Sequence, residues 1–317
     1  MTPLPVLFMG VLAISTAALF IRYGQEHASS LVVAAYRLGV AALALLPFAL
    51  TRYRQEIRQL GVAKLTQLGL VGFLLAMHFA TWVTSLEYTT VASSVVLVTT
   101  VPLWVALLSP FVVRERLPPA VWIGLVIALA GGMLVAVAEG CGLVDGRLRC
   151  TGFAQFINGR AMTGNFLALV GAWFAAGYLL AGRKLRASLS LGAYIFCVYG
   201  AGAVFLVVAA VISGDKLTGY PPAAYGWLVA LGLIPQLLGH TSLNWALRYV
   251  SAAYVSVALL GEPIGAAALA YFFLNETPSF LELVGGLFIL GGIYVVSQGE
   301  PQSIKQTAAV VSENPTG

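Results

Sequence analysis

The chain has 317 residues, 60% of them hydrophobic and only 9% charged. Soluble domains carry about 25% charged and about 45–50% apolar residues, so this composition excludes a soluble enzyme, a disordered chain and a nucleic-acid binder. A net charge of +5 on a chain with so few charges reads as basic loops held on one side of a membrane, which makes membrane lipid an expected partner and nucleic acid none.

Crossing the hydrocarbon core takes about 20 apolar residues per helix. Runs of that kind occupy 3–20, 29–50, 66–86, 92–113 and 120–138, then 163–182, 190–212, 223–247, 252–274 and 280–296. Residues 1–5 contain no Lys or Arg, so the first run lacks the basic flank of a cleaved signal and is expected to remain as a helix. Residues 139–162 form a longer external loop. The stretch 299–317 is polar, contains two prolines, and reads as a disordered cytoplasmic tail.

The ten runs fall into two sets of five. With the chain displaced by 161 residues, Gly10 meets Gly171, Arg22 meets Arg183, Ser29 meets Ser190 and Gly39 meets Gly200; further on, Tyr88 meets Tyr249, Pro102 meets Pro263, Glu115 meets Glu276 and Gly131 meets Gly292. One offset from the first run to the fifth marks a duplication, with repeats at 1–138 and 163–298. Five spans per repeat is an odd number, so the repeats must insert with opposite orientation. The charges agree. Arg52, Arg54, Arg58 and Lys64 follow span two, but only Asp215 and Lys216 follow its counterpart; Arg114 and Arg116 flank Glu115 where the second repeat has Asn275 and Thr277; Arg183, Lys184 and Arg186 follow span six where span one keeps Arg22. The basic member of each pair lies on one side, as the positive-inside rule requires of inverted repeats. The expected protein is an all-α membrane protein: ten transmembrane helices as two inverted five-helix repeats around a central cavity, in the cell (inner) membrane with both termini cytoplasmic.

Of the three cysteines, Cys197 sits within a span and reads as a small buried apolar residue. Cys141 and Cys150 bracket the external loop, where an oxidising compartment would let them form a disulfide. Two cysteines without a nearby His are not a zinc site.

Several motifs carry a family likeness. From His78 the chain reads His-Phe-Ala-Thr-Trp-Val-Thr-Ser-Leu-Glu-Tyr and runs on to Val101-Pro102-Leu103-Trp104 and Arg114-Glu115-Arg116; the second half has Asn244-Trp245-Ala246-Leu247-Arg248-Tyr249, Gly261-Glu262-Pro263 and Asn275-Glu276. These resemble the EamA-type families of the drug/metabolite transporter superfamily. The resemblance implies a ten-helix, two-repeat carrier that moves amino acids, other metabolites or drugs, often outward, through a cavity shaped by spans three to five and eight to ten. Two departures stand out: Val101 precedes Pro102 where Glu262 precedes Pro263, and the loop 139–162 is long.

Charge inside a bilayer is expensive unless it faces a cavity or a partner. Arg37 and Glu262 lie well within spans: Arg37 as a packing arginine, as a group for a substrate carboxylate or as a salt-bridge partner that changes between states, and Glu262 beside a proline break as a binding, gating or proton-coupling group or as a side chain bonding neighbouring hydroxyls in a kinked packing helix. Pro102 and Pro263 break their helices by removing an N–H donor. Gln236, His240 and Asn244 follow one another at four-residue spacing and so share a helix face; His78 and Trp82 do the same on span three. His78 and His240 are one residue off the repeat register and face one cavity in this reading. Tyr36, Trp82, Trp104, Trp173 and Tyr254 are candidate cavity aromatics, with lipid-facing packing the alternative for Trp104 and Trp173. Glycines 124, 131 and 132, and 285, 286, 291 and 292, serve close helix packing as scaffold or homodimer contact.

The function expected is secondary active transport by alternating access, exporting small metabolites such as amino acids or drug-like compounds, driven by a proton or substrate gradient. The chain has no phosphate-binding Gly-x-x-x-x-Gly-Lys-Ser/Thr loop, and no cofactor or metal is expected. The alternatives are an intramembrane enzyme, or a channel or receptor on the same scaffold.

Overall fold

The computed structural model describes residues 3–112, 118–138, 141–144, 147–150, 159–250 and 252–298. The first half contains α1 (Pro3–Ser15), α2 (Ala17–Gln25), α3 (Ser30–Leu50), α4 (Arg54–Arg58), α5 (Val62–Ser85), α6 (Val91–Val98), α7 (Val101–Val112) and α8 (Pro119–Ala138). After the hairpin β1 (Cys141–Val144) and β2 (Arg147–Cys150) come α9 (Arg160–Arg186), α10 (Leu191–Ile212) and α11 (Pro222–Leu231). A π-helical segment, Gly232–His240, leads into α12 (Thr241–Ala246); α13 (Ala252–Ala258), a 3₁₀ turn at Leu259–Gly261, α14 (Glu262–Leu274) and α15 (Phe280–Gln298) complete the chain.

Among the described residues eight helices are long and apolar enough to cross a membrane, starting with Pro5–Gln25 and ending with Tyr254–Leu274; Trp122–Leu134 and Phe280–Gly292, within α8 and α15, are shorter apolar stretches. Several helices overrun their sequence limits. The first candidate span runs through α1 and α2 to Gln25, so that Arg22, read as a loop residue, lies within α2 and pairs with Glu276 at 2.8 Å. The ninth helix starts at Arg160 and ends at Arg186, whose side chain is buried against backbone carbonyls rather than lying in a loop. The membrane part is all-helical as expected, and the long loop adds a two-stranded antiparallel hairpin that pairs Cys141 with Cys150 in register. The side chains of both cysteines, the Arg114–Arg116 loop and the tail 299–317 lie outside the described residues.

Local sequence sets the helix ends. Ser29 and Ser190, the repeat-related pair, both sit at N-caps and accept hydrogen bonds from Val32 N (3.4 Å) and Ala193 N (3.3 Å). Thr90 caps α6 in the same way. Pro102 and Pro263 cannot donate to the helical ladder, and the chain breaks beside each: α6 gives way to α7 at Thr99 and Thr100, and α13 to α14 at the 3₁₀ turn. Beside Pro102 the two threonines turn back onto the preceding turn: Thr99 Oγ1 donates to Val95 O (2.8 Å) and Thr100 Oγ1 to Leu97 O (2.7 Å), each carbonyl also accepting the same threonine's backbone N–H.

One apolar core draws on both halves, from Leu7 to Ile289, and contacts between the halves are reciprocal. A methyl group on Gly131 would come within 2.5 Å of Gly285 O; one on Gly292 would collide with Gly124 O. A methyl on Gly10 would lie 3.3 Å from Gly239 O, and one on Gly171 3.4 Å from His78 O. Gln25 Nε2 donates to Val83 O, and Arg186 Nε donates to Asn244 O. Each pair is interchanged by the 161-residue offset. Gly131, Gly285, Gly124 and Gly292 therefore serve the packing of α8 against α15 within one chain.

The register slips at one place. Gly72 approaches Val198 O and Ala201, and Gly232 approaches Arg37 O and Val40. This makes Gly72 and Gly232 equivalent at an offset of 160, whereas His78 and Gly239 are equivalent at 161. One extra residue thus enters the second half between Gly232 and Gly239. That is where the helix widens to π form, the usual way a helix absorbs an insertion, often at functional sites.

Candidate functional site

A cavity of about 30 Å³ lies between the two halves, room for about one or two waters. The first half contributes His78 and Trp82 from α5 and Thr99 at the α6–α7 break; the second contributes Tyr178 from α9, His240 at the end of the π segment, and Glu262 at the start of α14. The two helix breaks and the π segment therefore converge on one place.

His78 Nδ1 lies 2.9 Å from Gly171 O. A carbonyl only accepts, so Nδ1 is the donor, which in a neutral ring leaves Nε2 as an acceptor. The His78 ring stacks on Trp82 (5.9 Å between centroids, 12°) and stands 6.4 Å from His240. The Tyr178 hydroxyl is held by the Asn244 amide, 2.8 Å from Oδ1 and 2.5 Å from Nδ2; Nδ2 also donates to Tyr199 Oη (3.2 Å) and His240 O (2.9 Å). His240 Nδ1 and Trp82 Nε1 have no hydrogen-bond partner among the described residues.

Behind this wall sits Arg37, fully buried. Its Nε donates to Gln236 Oε1 at 2.8 Å, and its guanidinium lies 4.0 Å over the Phe79 ring and 5.5 Å from that of Trp82. Both Nη atoms, and Gln236 Nε2 beside them, lack a hydrogen-bond partner among the described residues. Arg37 and Glu262 form no ion pair with each other; the one ion pair among the described residues is Arg22–Glu276. These two buried side chains are thus not paired with each other, and Trp82, whose ring lies 5.5 Å from the Arg37 guanidinium, lines the cavity. Glu262 is 5% exposed and is the first residue of α14, where the partial positive charge of a helix N-terminus favours a carboxylate.

Of the residues singled out in the sequence, His78, Trp82, His240 and Glu262 line the cavity. Arg37, Gln236 and Asn244 are buried one layer behind it, joined to its wall by the contacts above. Pro102 and Pro263 each follow a lining residue, Val101 and Glu262. Trp104 stands apart: it packs edge-on against Trp173 at 5.1 Å and donates to Thr100 Oγ1. Tyr36 lies elsewhere too, donating to Leu217 O. Sequence reasoning missed Tyr178 and Tyr199, apolar-looking residues in apolar runs whose hydroxyls only the fold brings to Asn244. It also missed the bond network at one end of the bundle. There Arg22 donates to Thr89 O (3.2 Å) and pairs with Glu276, while Glu276 Oε2 accepts from Val91 N (2.8 Å). Next to it, Glu282 accepts from Thr90 Oγ1, Ser93 Oγ and Ser279 N. These bonds fasten the turn between α5 and α6 to the second half.

Comparison with known proteins bears on this arrangement. The profile of the EamA-like transporter family matches twice, over residues 2–137 and 162–298. The transporter YdfC of Bacillus subtilis (strain 168) is 25% identical over 276 residues, which is 86% of this chain and 83% of the relative. The pseudopaline exporter CntI of Pseudomonas aeruginosa is 26% identical over 247 residues, 76% of this chain and 80% of CntI. A probable terminal-alkyne amino-acid exporter of Streptantibioticus cattleyicolor is 28% identical over 205 residues, 64% of this chain and 62% of the exporter. A solved structure titled "Crystal structure of protein" shares the fold with a TM-score of 0.66 at 20% identity, covering 92% of this chain and 95% of that one. A family profile that matches both halves, several apolar helices long enough to span a bilayer, and relatives named as transporters and exporters lead to one conclusion: the chain is a multi-pass membrane protein that belongs to the EamA-like transporter family of the drug/metabolite transporter superfamily.

Proposed function

We propose that this protein is a secondary active exporter of small metabolites, amino acids or drug-like compounds, working by alternating access. Its ten spans form two oppositely inserted repeats, with both termini in the cytoplasm. The observation that carries this reading is the closed cavity. It lies between the halves, is lined by both, holds a buried carboxylate at a helix break, and is too small for a metabolite in this conformation. A substrate enters only if the halves part, and reciprocal contacts between the repeats give two equivalent ways of parting, one toward each side.

In this reading Glu262 faces the cavity and exchanges a coupling proton. Arg37, with Gln236, receives a substrate carboxylate once Trp82 moves aside; two unpaired Nη donors on a fully buried guanidinium favour this over simple packing, because an unmatched buried cation is costly. Two relatives named as exporters support the outward direction. Gly132, Gly286 and Gly291, which face open space, leave room for a second copy of the chain.

Counterflow tests the reading. Proteoliposomes loaded with an unlabelled amino-acid panel take up the matching labelled compound transiently above its external level, and recover it chemically unchanged. Uptake that never exceeds equilibrium indicates a channel, and a chemically altered product an enzyme; either result overturns the proposal.

A further inference from the structure

A second concave site lies where α3 ends. A pocket of about 390 Å³ is lined by Ala49 and Leu50 at the end of α3, Arg54, Ile57 and Arg58 of α4, and Phe196 of α10. The candidate span Ser30–Leu50 stops here and the next begins at Val62, so the pocket sits at the level where hydrocarbon gives way to headgroups.

Its charges are arranged for an anion. Arg54 and Arg58 are one helical turn apart and share a face. Neither is in an ion pair among the described residues. The acid of the same short helix, Glu56, is occupied elsewhere, accepting a hydrogen bond from Ser190 N at 2.8 Å. Two guanidinium groups, each a planar fork suited to phosphate oxygens, thus meet in a pocket with no compensating carboxylate. Its remaining walls are apolar, and they continue into the lipid-facing side of α3, where Leu43, Phe48 and Leu50 are 68%, 57% and 61% exposed. Retention of basic residues on one side of the membrane explains positive charge in this loop, but not two arginines lining one cavity whose other walls are Ile, Leu and Phe.

We propose that this pocket binds one anionic glycerophospholipid, with the phosphate between Arg54 and Arg58 and an acyl chain along α3. Basic pockets between helices at a membrane face commonly hold such headgroups. The lipid would tie α4 to α3 and α10, elements drawn from both halves.

Thermal unfolding of the delipidated full-length protein in a neutral detergent tests this. Dioleoyl-phosphatidylglycerol should raise the midpoint by roughly 3–5 °C near saturation, while dioleoyl-phosphatidylcholine and glycerol 3-phosphate at the same concentration should not. Arg54→Gln with Arg58→Gln should abolish the rise, and Arg58→Gln alone should reduce it. Both side chains are exposed, so the fold survives these changes. Arg52→Gln, next to the pocket but outside its lining, should leave the rise intact. An equal rise with phosphatidylcholine, or a rise that survives the double replacement, would overturn the proposal. An equal rise with glycerol 3-phosphate would show a soluble-phosphate site instead and would overturn it too.

Discussion

Glu262→Gln will still exchange substrate across a proteoliposome membrane but will no longer accumulate it in response to a pH gradient. Gln keeps the shape and the hydrogen bonding of the side chain and removes only titration. Glu262 lines the cavity, is 5% exposed and heads α14 directly before the proline. A carboxylate there has little water around it and no ion-pair partner among the described residues. In the proposed alternating-access cycle its proton affinity depends on which side the cavity faces and on what occupies it, and that difference would couple a proton to transport. Gradient-driven accumulation should fall by at least about tenfold, the effect of removing about 1.4 kcal/mol of coupling, with counterflow within about a factor of two of the parent. Undiminished gradient-driven transport would remove Glu262 from the coupling step. Loss of counterflow with a lowered unfolding temperature would assign it to packing.

Breaking the Arg22–Glu276 pair will expose the cavity from that end of the bundle. The pair is a quarter exposed on each side chain, 28% and 25%, so screening limits it to about 1 kcal/mol. Glu276 also accepts from Val91 N at 2.8 Å, and losing that charge-assisted bond adds about 1 kcal/mol. Together they shift the closed–open balance by roughly tenfold or more. The reporter is Thr99→Cys, which lines the cavity and is 2% exposed in the parent residue. A membrane-impermeant thiol reagent added outside should react with it about tenfold faster after Glu276→Ala. Glu276→Gln, which keeps an acceptor for Val91, should give a smaller increase. Unchanged labelling in both variants would show that these bonds do not hold the closed state.

How far the sequence reached can be read residue by residue. The duplication was legible because Gly, Pro and Tyr recur at one offset, and the structure uses those residues where the halves touch: Gly131 against Gly285, Gly292 against Gly124. Buried polar residues in apolar runs were legible too, since bilayer solvation leaves them no bland location, and His78, Trp82, His240 and Glu262 meet at one cavity. The two histidines are not equivalent positions, since His78 matches Gly239, and the extra residue that widens the helix to a π segment before His240 could be located only from the contacts of Gly72 and Gly232. Tyr178 and Tyr199 stayed hidden because a tyrosine counts as apolar in any pattern, and its hydroxyl acquires a role only beside Asn244. Trp104 misled because depth along a span says nothing about direction; it turns to Trp173. Arg22 and Glu276 were read as loop charges, for their pairing joins residues 254 positions apart.

Alternating access between equivalent halves requires that they enter the membrane in opposite senses, and site-directed labelling measures this directly. Gln55 and Lys216 are both exposed, are related by the 161-residue offset, and lie just beyond α3 and α10 respectively. With single cysteines at these positions in intact cells, a membrane-impermeant thiol reagent should label Lys216→Cys from outside and reach Gln55→Cys only after the membrane is opened. Labelling of both positions from the same side would contradict inverted insertion and, with it, the alternating-access reading of the cavity.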